Sequence, residues 1–147
     1  MMIAIGCDHG GFDLKGAIIQ HLKEENIQYK DFGTYSTESV NFPEYALKVA
    51  NAVASGQCES GVLCCGTGIG MSIMANKVNG IRAAVVDNAY SARYTKMHNN
   101  ANIICMGERV IGKGLAVMLF DEWYKAKYEG GRHEVRLNMI KEYEESR

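Results

Sequence analysis

At 147 residues the chain has the length of one folding unit and enough material for a proper core. Its 47% apolar and 22% charged residues are ordinary for a soluble globular protein, and a formal net charge of −1 gives no pull towards nucleic acid or an anionic membrane. No apolar run approaches the roughly 18 residues of a membrane span, and no basic region precedes the N-terminal apolar stretch. Five cysteines, Cys7, Cys58, Cys64, Cys65 and Cys105, are odd in number and fall mostly in strand-like segments. That pattern predicts reduced thiols in a cytoplasm and not a disulfide framework. No Cys-x-x-Cys pair occurs, which argues against a structural zinc site.

In chain order, Met2 to Cys7 is a short apolar run that predicts a buried first strand. Asp8-His9-Gly10-Gly11 breaks it. From Phe12 to Asn26, Leu14, Ala17, Ile18, His21 and Leu22 recur at helical spacing and predict an amphipathic helix. His21 falls on its apolar side, a structural position. Ile27 to Phe32 predicts a second strand, closed by Gly33, and residues 33–42 are loop-like. Pro43, the only proline, opens a helix in its favoured first turn, with Ala46, Val49, Ala50 and Val53 as its apolar face.

The central stretch is Gly61-Val62-Leu63-Cys64-Cys65-Gly66-Thr67-Gly68-Ile69-Gly70-Met71-Ser72. It reads as strand, glycine loop and helix start, with the helix continuing to Val78. Glycines at alternate positions let a ligand approach the backbone, and the N-terminus of the following helix favours negative charge. A thiol at that lip, Cys65, can have its pKa drawn from about 8.5 towards neutrality. Neighbouring strand residues face opposite ways, so one of Cys64 and Cys65 is a buried packing residue. Met71 rules out three better-known loops. It stands where a Walker loop needs lysine, where a dinucleotide fingerprint needs its third glycine, and where a cysteine phosphatase needs arginine.

Ile81 to Val86 predicts a fourth strand closed by Asp87, and Tyr90 to Met97 a helix leading into His98-Asn99-Asn100. Asn102 to Met106 is a fifth strand, with Glu108-Arg109 beyond it. Leu115, Met118, Leu119, Trp123 and Tyr124 mark a helix from Lys113 to Tyr128. After Gly130-Gly131 a charged helix runs from Arg132 to Glu145. Strands alternating with helices predict an α/β fold: a single Rossmann-like domain over 1–147, with a parallel five-stranded sheet flanked by helices and a C-terminal helical arm.

In such sheets ligands bind beyond the C-terminal ends of the strands, which here carry Asp8, His9, Cys65 with its loop, Asp87 and Arg109. Simple wiring brings His98 to the opposite end. Arg132 and Arg136 lie one turn apart and can close on one phosphate. Plainer roles exist: Asp8 serves well as a helix cap, and the arginines suit a solvated face.

The motifs Gly6-Cys7-Asp8-His9-Gly10-Gly11-Phe12, Cys65-Gly66-Thr67-Gly68-Ile69-Gly70, Ala75-Asn76-Lys77, His98-Asn99 and Tyr128-Glu129-Gly130-Gly131-Arg132-His133 together resemble the type B ribose-5-phosphate isomerase family along nearly the whole chain. The resemblance implies interconversion of ribose 5-phosphate and ribulose 5-phosphate without a metal or organic cofactor. It implies Cys65 as general base, His98 as the group that opens the sugar ring, and Thr67 as its assistant. His9, Arg109, Arg132 and Arg136 would contact phosphate, and Asp8 and Asn99 the sugar hydroxyls. The loop of Gly66, Gly68, Ile69 and Gly70 would then cradle the enediolate oxygen rather than the phosphate. The chain departs from the family at Asn41-Phe42, where Asp-Tyr is frequent, so no phenolic hydroxyl stands there. The alternatives are an isomerase of six-carbon sugar phosphates, galactose 6-phosphate or allose 6-phosphate, on the same fold, and a non-catalytic phosphate-binding module of flavodoxin-like shape. The last helix has little apolar surface for its own domain, yet carries Leu137, Met139, Ile140 and Tyr143. An arm that reaches a second copy accounts for both, and the resemblance implies a homodimer, or a dimer of dimers, with shared sites.

Overall fold

The computed structural model describes residues 2–147. Five strands, β1 (Met2–Cys7), β2 (Gln28–Asp31), β3 (Ser60–Cys65), β4 (Ala83–Val85) and β5 (Ile103–Gly107), alternate with the helices α1 (Phe12–Glu24), α2 (Phe42–Ala54), α3 (Ile69–Ala75), α4 (Ala89–Asn99) and α5 (Lys113–Lys125), and α6 (Arg132–Ser146) follows. The sheet is parallel throughout, in the order β2-β1-β3-β5-β4. The α/β reading of the sequence therefore holds.

Burial on both faces explains the strand composition. On one face α1 and α5 cover Ile3, Ile5, Val62, Cys64 and Ile104, with Phe120 and Trp123 filling the layer. On the other, α2 and α3 cover Ala4, Leu63, Cys65, Ile103 and Cys105. A strand covered on both sides has no reason to alternate apolar and polar residues, and β3 is buried at every position. All five cysteines are free and buried.

The ends of the elements differ from the periodicity, each for a local reason. α1 stops at Glu24 because Asn26 takes a left-handed turn, φ 56°. α3 stops at Ala75, short of Val78, where the Asn76 amide bonds both the N–H and the C=O of Ala83 at 2.8 Å and turns the chain towards β4. β4 keeps only three residues; as an edge strand it pairs on one side alone. α4 is longer than expected. Asn88 caps its start by accepting the Ser91 N–H at 2.8 Å, and the helix runs through Asn99, so His98 lies on it and not beyond it.

Candidate active site

β1 joins β2 on one side and β3 on the other. The strand order reverses there, and a crevice opens at the C-terminal ends of β1 and β3, where Cys7 and Cys64 are in register. Asp8 enters it almost fully buried. Its N–H donates to Cys64 O at 3.2 Å, and its Oδ1 accepts the Gly10 N–H at 2.8 Å, so it caps the short 3-10 turn His9–Gly11. The capping role is thus real, and it leaves Oδ2 for another partner. His9 Nδ1 accepts the Val40 N–H at 3.1 Å, which leaves Nε2 as the donor in the neutral ring. Gly11 packs so closely under the end of β3 that a Cβ there would collide with the Cys64 carbonyl group.

The two adjacent cysteines separate as strand geometry requires. Cys64 points into the α1/α5 layer with no exposure, and burial, reinforced by Cys7 and Cys105 beside it, pushes its thiol well up. Cys65 points the other way and reaches the surface, at 6% exposure. Its Sγ accepts the Gly68 N–H at 3.0 Å. Gly68 can aim that amide because it sits at φ 80°, where a side chain is strained. Thr67 is exposed, and its Oγ1 accepts the Ile69 N–H at 3.2 Å. Gly70, only partly buried, donates to no backbone carbonyl among the described residues, so the first turn of α3 keeps a free N–H beside the crevice.

β5 supplies the other wall. The N–H of Glu108 donates to Cys65 O at 2.9 Å and that of Arg109 to Gly66 O at 3.0 Å. The Arg109 guanidinium lies over Gly66; a Cβ on that glycine would sit 3.1 Å from Nη1. Glu108 Oε1 accepts the Leu14 N–H at 2.7 Å and ties this wall to the start of α1. Gly107 lets the loop pass, since a Cβ there would lie 2.6 Å from Thr67 backbone atoms. Phe42, half exposed, presses its ring against Gly70.

The remaining expected residues lie elsewhere. α4 and α5 both run back from the C-terminal edge of the sheet, so residues 98–102 and 126–133 meet at its N-terminal edge. The Glu129 N–H donates to Met97 O at 3.0 Å. The His98 ring stacks on His133 at 4.2 Å, and Glu129 Oε2 stands 3.9 Å from His98 Nε2 and 3.4 Å from His133 Nε2. Asn99, Arg132 and Arg136 are exposed nearby. One chain therefore gathers Asp8, His9, Cys65 to Gly70 and Arg109 at one edge, and His98, Asn99, Arg132 and Arg136 at the other. Sequence reasoning overlooked the partnership of Glu129 and His133 with His98. Its one signal was the four-residue spacing from Glu129 to His133, although Glu129 precedes α6 and reaches His133 across the turn at Gly130 and Gly131.

Both groups of motifs lie inside one family match: the Ribose/Galactose Isomerase family matches residues 3–140. The chain belongs to this family. It is 49% identical to ribose-5-phosphate isomerase B of Escherichia coli (strain K12), over 99% of this chain and 97% of that protein. It is 46% identical to ribose-5-P isomerase B of Listeria innocua, over 99% and 98%. Among solved structures, ribose-5-phosphate isomerase B of Clostridium thermocellum superposes with a TM-score of 0.98 at 52% identity, covering 99% of each chain. Such membership makes the chain an isomerase. Among the described residues no helix is long and apolar enough to cross a membrane.

Proposed function

We propose that this chain interconverts ribose 5-phosphate and ribulose 5-phosphate through an enediolate, with Cys65 as the base and His98 of a second copy opening the ring. The observation that carries the reading is the Cys65 sulfur at the mouth of the crevice, held 3.0 Å from the Gly68 N–H in the loop on which Arg109 lies.

The chemistry divides into steps that match these parts. The sugar is mostly a closed ring, and opening it moves one proton onto the ring oxygen and removes one from the anomeric hydroxyl. An imidazole is suited to both. In the open aldose, Cys65 Sγ takes the proton from C2, and the electron pair moves through C1 to the carbonyl oxygen. Amides of the glycine loop meet the charge that develops there, each worth about 3 kcal/mol when aimed at the oxyanion. Returning the proton to C1 and moving the O2 proton to O1 gives the ketose, and Thr67 assists His98 in the ring opening. The phosphate supplies binding energy far from the reacting carbons, through His9 and Arg109 of one chain and Arg132 and Arg136 of the other. Asp8 and Asn99 would hold sugar hydroxyls.

Two copies related by a two-fold axis give two such composite sites. Supporting this, α6 leaves Val135 (64%), Met139 (65%) and Tyr143 (67%) exposed, with only His133 buried. Five free thiols suit a reducing cytoplasm. The test mixes a Cys65→Ala chain with an Arg132→Ala/Arg136→Ala chain. In the mixed dimer one site gathers every defect and the other is intact, so activity returns towards half per heterodimer. No recovery despite proven subunit exchange would place the arginines on their own chain's site. A panel of pentose and hexose phosphates in the same assay separates ribose 5-phosphate from galactose 6-phosphate and allose 6-phosphate.

A further inference from the structure

The cluster of His98, Glu129 and His133 carries a second chemistry. Their three ligand-type atoms lie within 4.8 Å of one another. His133 is buried to 7% exposure, and its Nε2 has no hydrogen-bond partner among the described residues. A buried imidazole nitrogen without a partner loses the solvation it had in the unfolded chain, so the arrangement is incomplete as a hydrogen-bond network. A Zn2+ ion with bonds of about 2.0–2.1 Å in tetrahedral geometry holds its ligand atoms roughly 3.3 Å apart. Glu129 Oε2 stands 3.4 and 3.9 Å from the two Nε2 atoms, close to that spacing. The rings are stacked with 14° between their planes, and both Nε2 atoms stand on the side of Glu129 Oε2. Rotation about the broad terminal torsion of each histidine converges them.

We propose that His98, Glu129 and His133 bind a zinc-class divalent ion, two imidazole nitrogens and one carboxylate oxygen leaving a fourth position for water. Imidazole ligands select Zn2+, Ni2+ or Cu2+ over Mg2+ and Ca2+, which take oxygen. The ion is no participant in the isomerisation. It occupies the His98 nitrogen that ring opening needs, and so inhibits. That consequence rests on the ring-opening role proposed above, whereas the binding site does not.

The test titrates the metal-stripped full chain with Co2+ and Zn2+. A tetrahedral Co2+ spectrum without a thiolate charge-transfer band is expected, since the five cysteines take no part. Glu129→Gln, the milder change, weakens binding by at least about tenfold, as loss of a metal ligand does. His133→Cys keeps the ion and gains the thiolate band, which guards against a variant that merely misfolds. Unchanged affinity in Glu129→Gln, or a thiolate band in the unmodified chain, overturns the site. Inhibition by Zn2+ is read separately, from the aldose side, and should weaken in Glu129→Gln in step with the affinity. Tight binding at the cluster with no inhibition would leave the site and overturn its inhibitory role.

Discussion

Cys64 and Cys65 are adjacent in sequence, equal in chemistry and opposite in environment, so replacing each by alanine separates packing from catalysis. Cys64 has no exposed surface and packs among Cys7, Leu14, Val62 and Met106. Removing its sulfur forfeits about 1 kcal/mol of transfer free energy and leaves a small cavity, for roughly 1.5 kcal/mol in all. For a chain of this length that lowers Tm by about 3–6 °C and leaves turnover unchanged. Cys65→Ala loses comparable packing, since its sulfur is also mostly buried, and additionally loses the group proposed as the base. General-base removal costs roughly 10²- to 10⁴-fold in kcat, with little change in KM because the contact acts mainly in the transition state. Ketose formation followed by a coupled assay gives both constants, and a thermal melt gives the stability. Alkylation adds an independent reading: Cys65 alone of the pair reaches solvent, so iodoacetamide should label it first, and substrate should protect it. An inactive Cys64→Ala, or a Cys65→Ala retaining more than about a tenth of its kcat, would reverse the assignment.

His98→Asn should slow the conversion of cyclic ribose 5-phosphate far more than that of the open-chain ketose in the reverse direction; equal losses would assign it a role in isomerisation itself. Lys15 Nζ bonds both Asp31 oxygens, at 2.8 and 2.9 Å, and Thr34 O, and its side chain is 3% exposed. Lys15→Met removes the only cation paired with Asp31 among the described residues, whose Oδ1 keeps just the Gly33 N–H at 2.8 Å, and should cost about 3 kcal/mol by denaturant melt, loosening residues 33–42, which hold His9 through Val40. Gly107→Ala should keep the far-UV circular dichroism while cutting kcat by about tenfold or more, because small displacements of a reacting group are that costly. Burial raises the Cys7 thiol to about 11 from 9.0. Its contribution to stability is present below pH 9 and is lost as pH rises from 9 to 11, about 3 kcal/mol over that window; Cys7→Ala should flatten the corresponding part of a pH–Tm profile.

The sequence made the layers legible because buried parallel strands are continuous apolar runs, and β1, β3 and β5 are all of that kind. Pro43 and the Gly68 turn were legible for the same reason, each fixing a backbone angle that few other residues accept. The ends of α3 and α4 were not. They depend on Asn76 and Asn88, whose side chains bond backbone groups, and asparagine looks the same in a loop as in a cap. Phe42 stood out only as a departure in residue type. Its contact with Gly70 arises because α2 and α3 pack side by side, a tertiary fact that no local pattern encodes.

The separation of Cys65 from His98 follows from the topology. In a parallel sheet every residue that follows a strand emerges at one edge, and every residue that precedes the next strand lies at the other. Cys65 ends β3, and His98 comes five residues before Ile103 begins the pairing of β5, so no adjustment of side chains within one such domain brings them together. α4 alone, at about 1.5 Å per residue, spans roughly 16 Å between the two edges. A reaction that needs both groups must therefore recruit the second edge from another molecule. The composition of α6 is consistent with that requirement. A helix of fifteen residues is marginal in water unless an apolar face is buried, and this one holds Met139, Ile140 and Tyr143 outward. The same second copy that would complete the chemistry would cover the arm that carries Arg132 and Arg136.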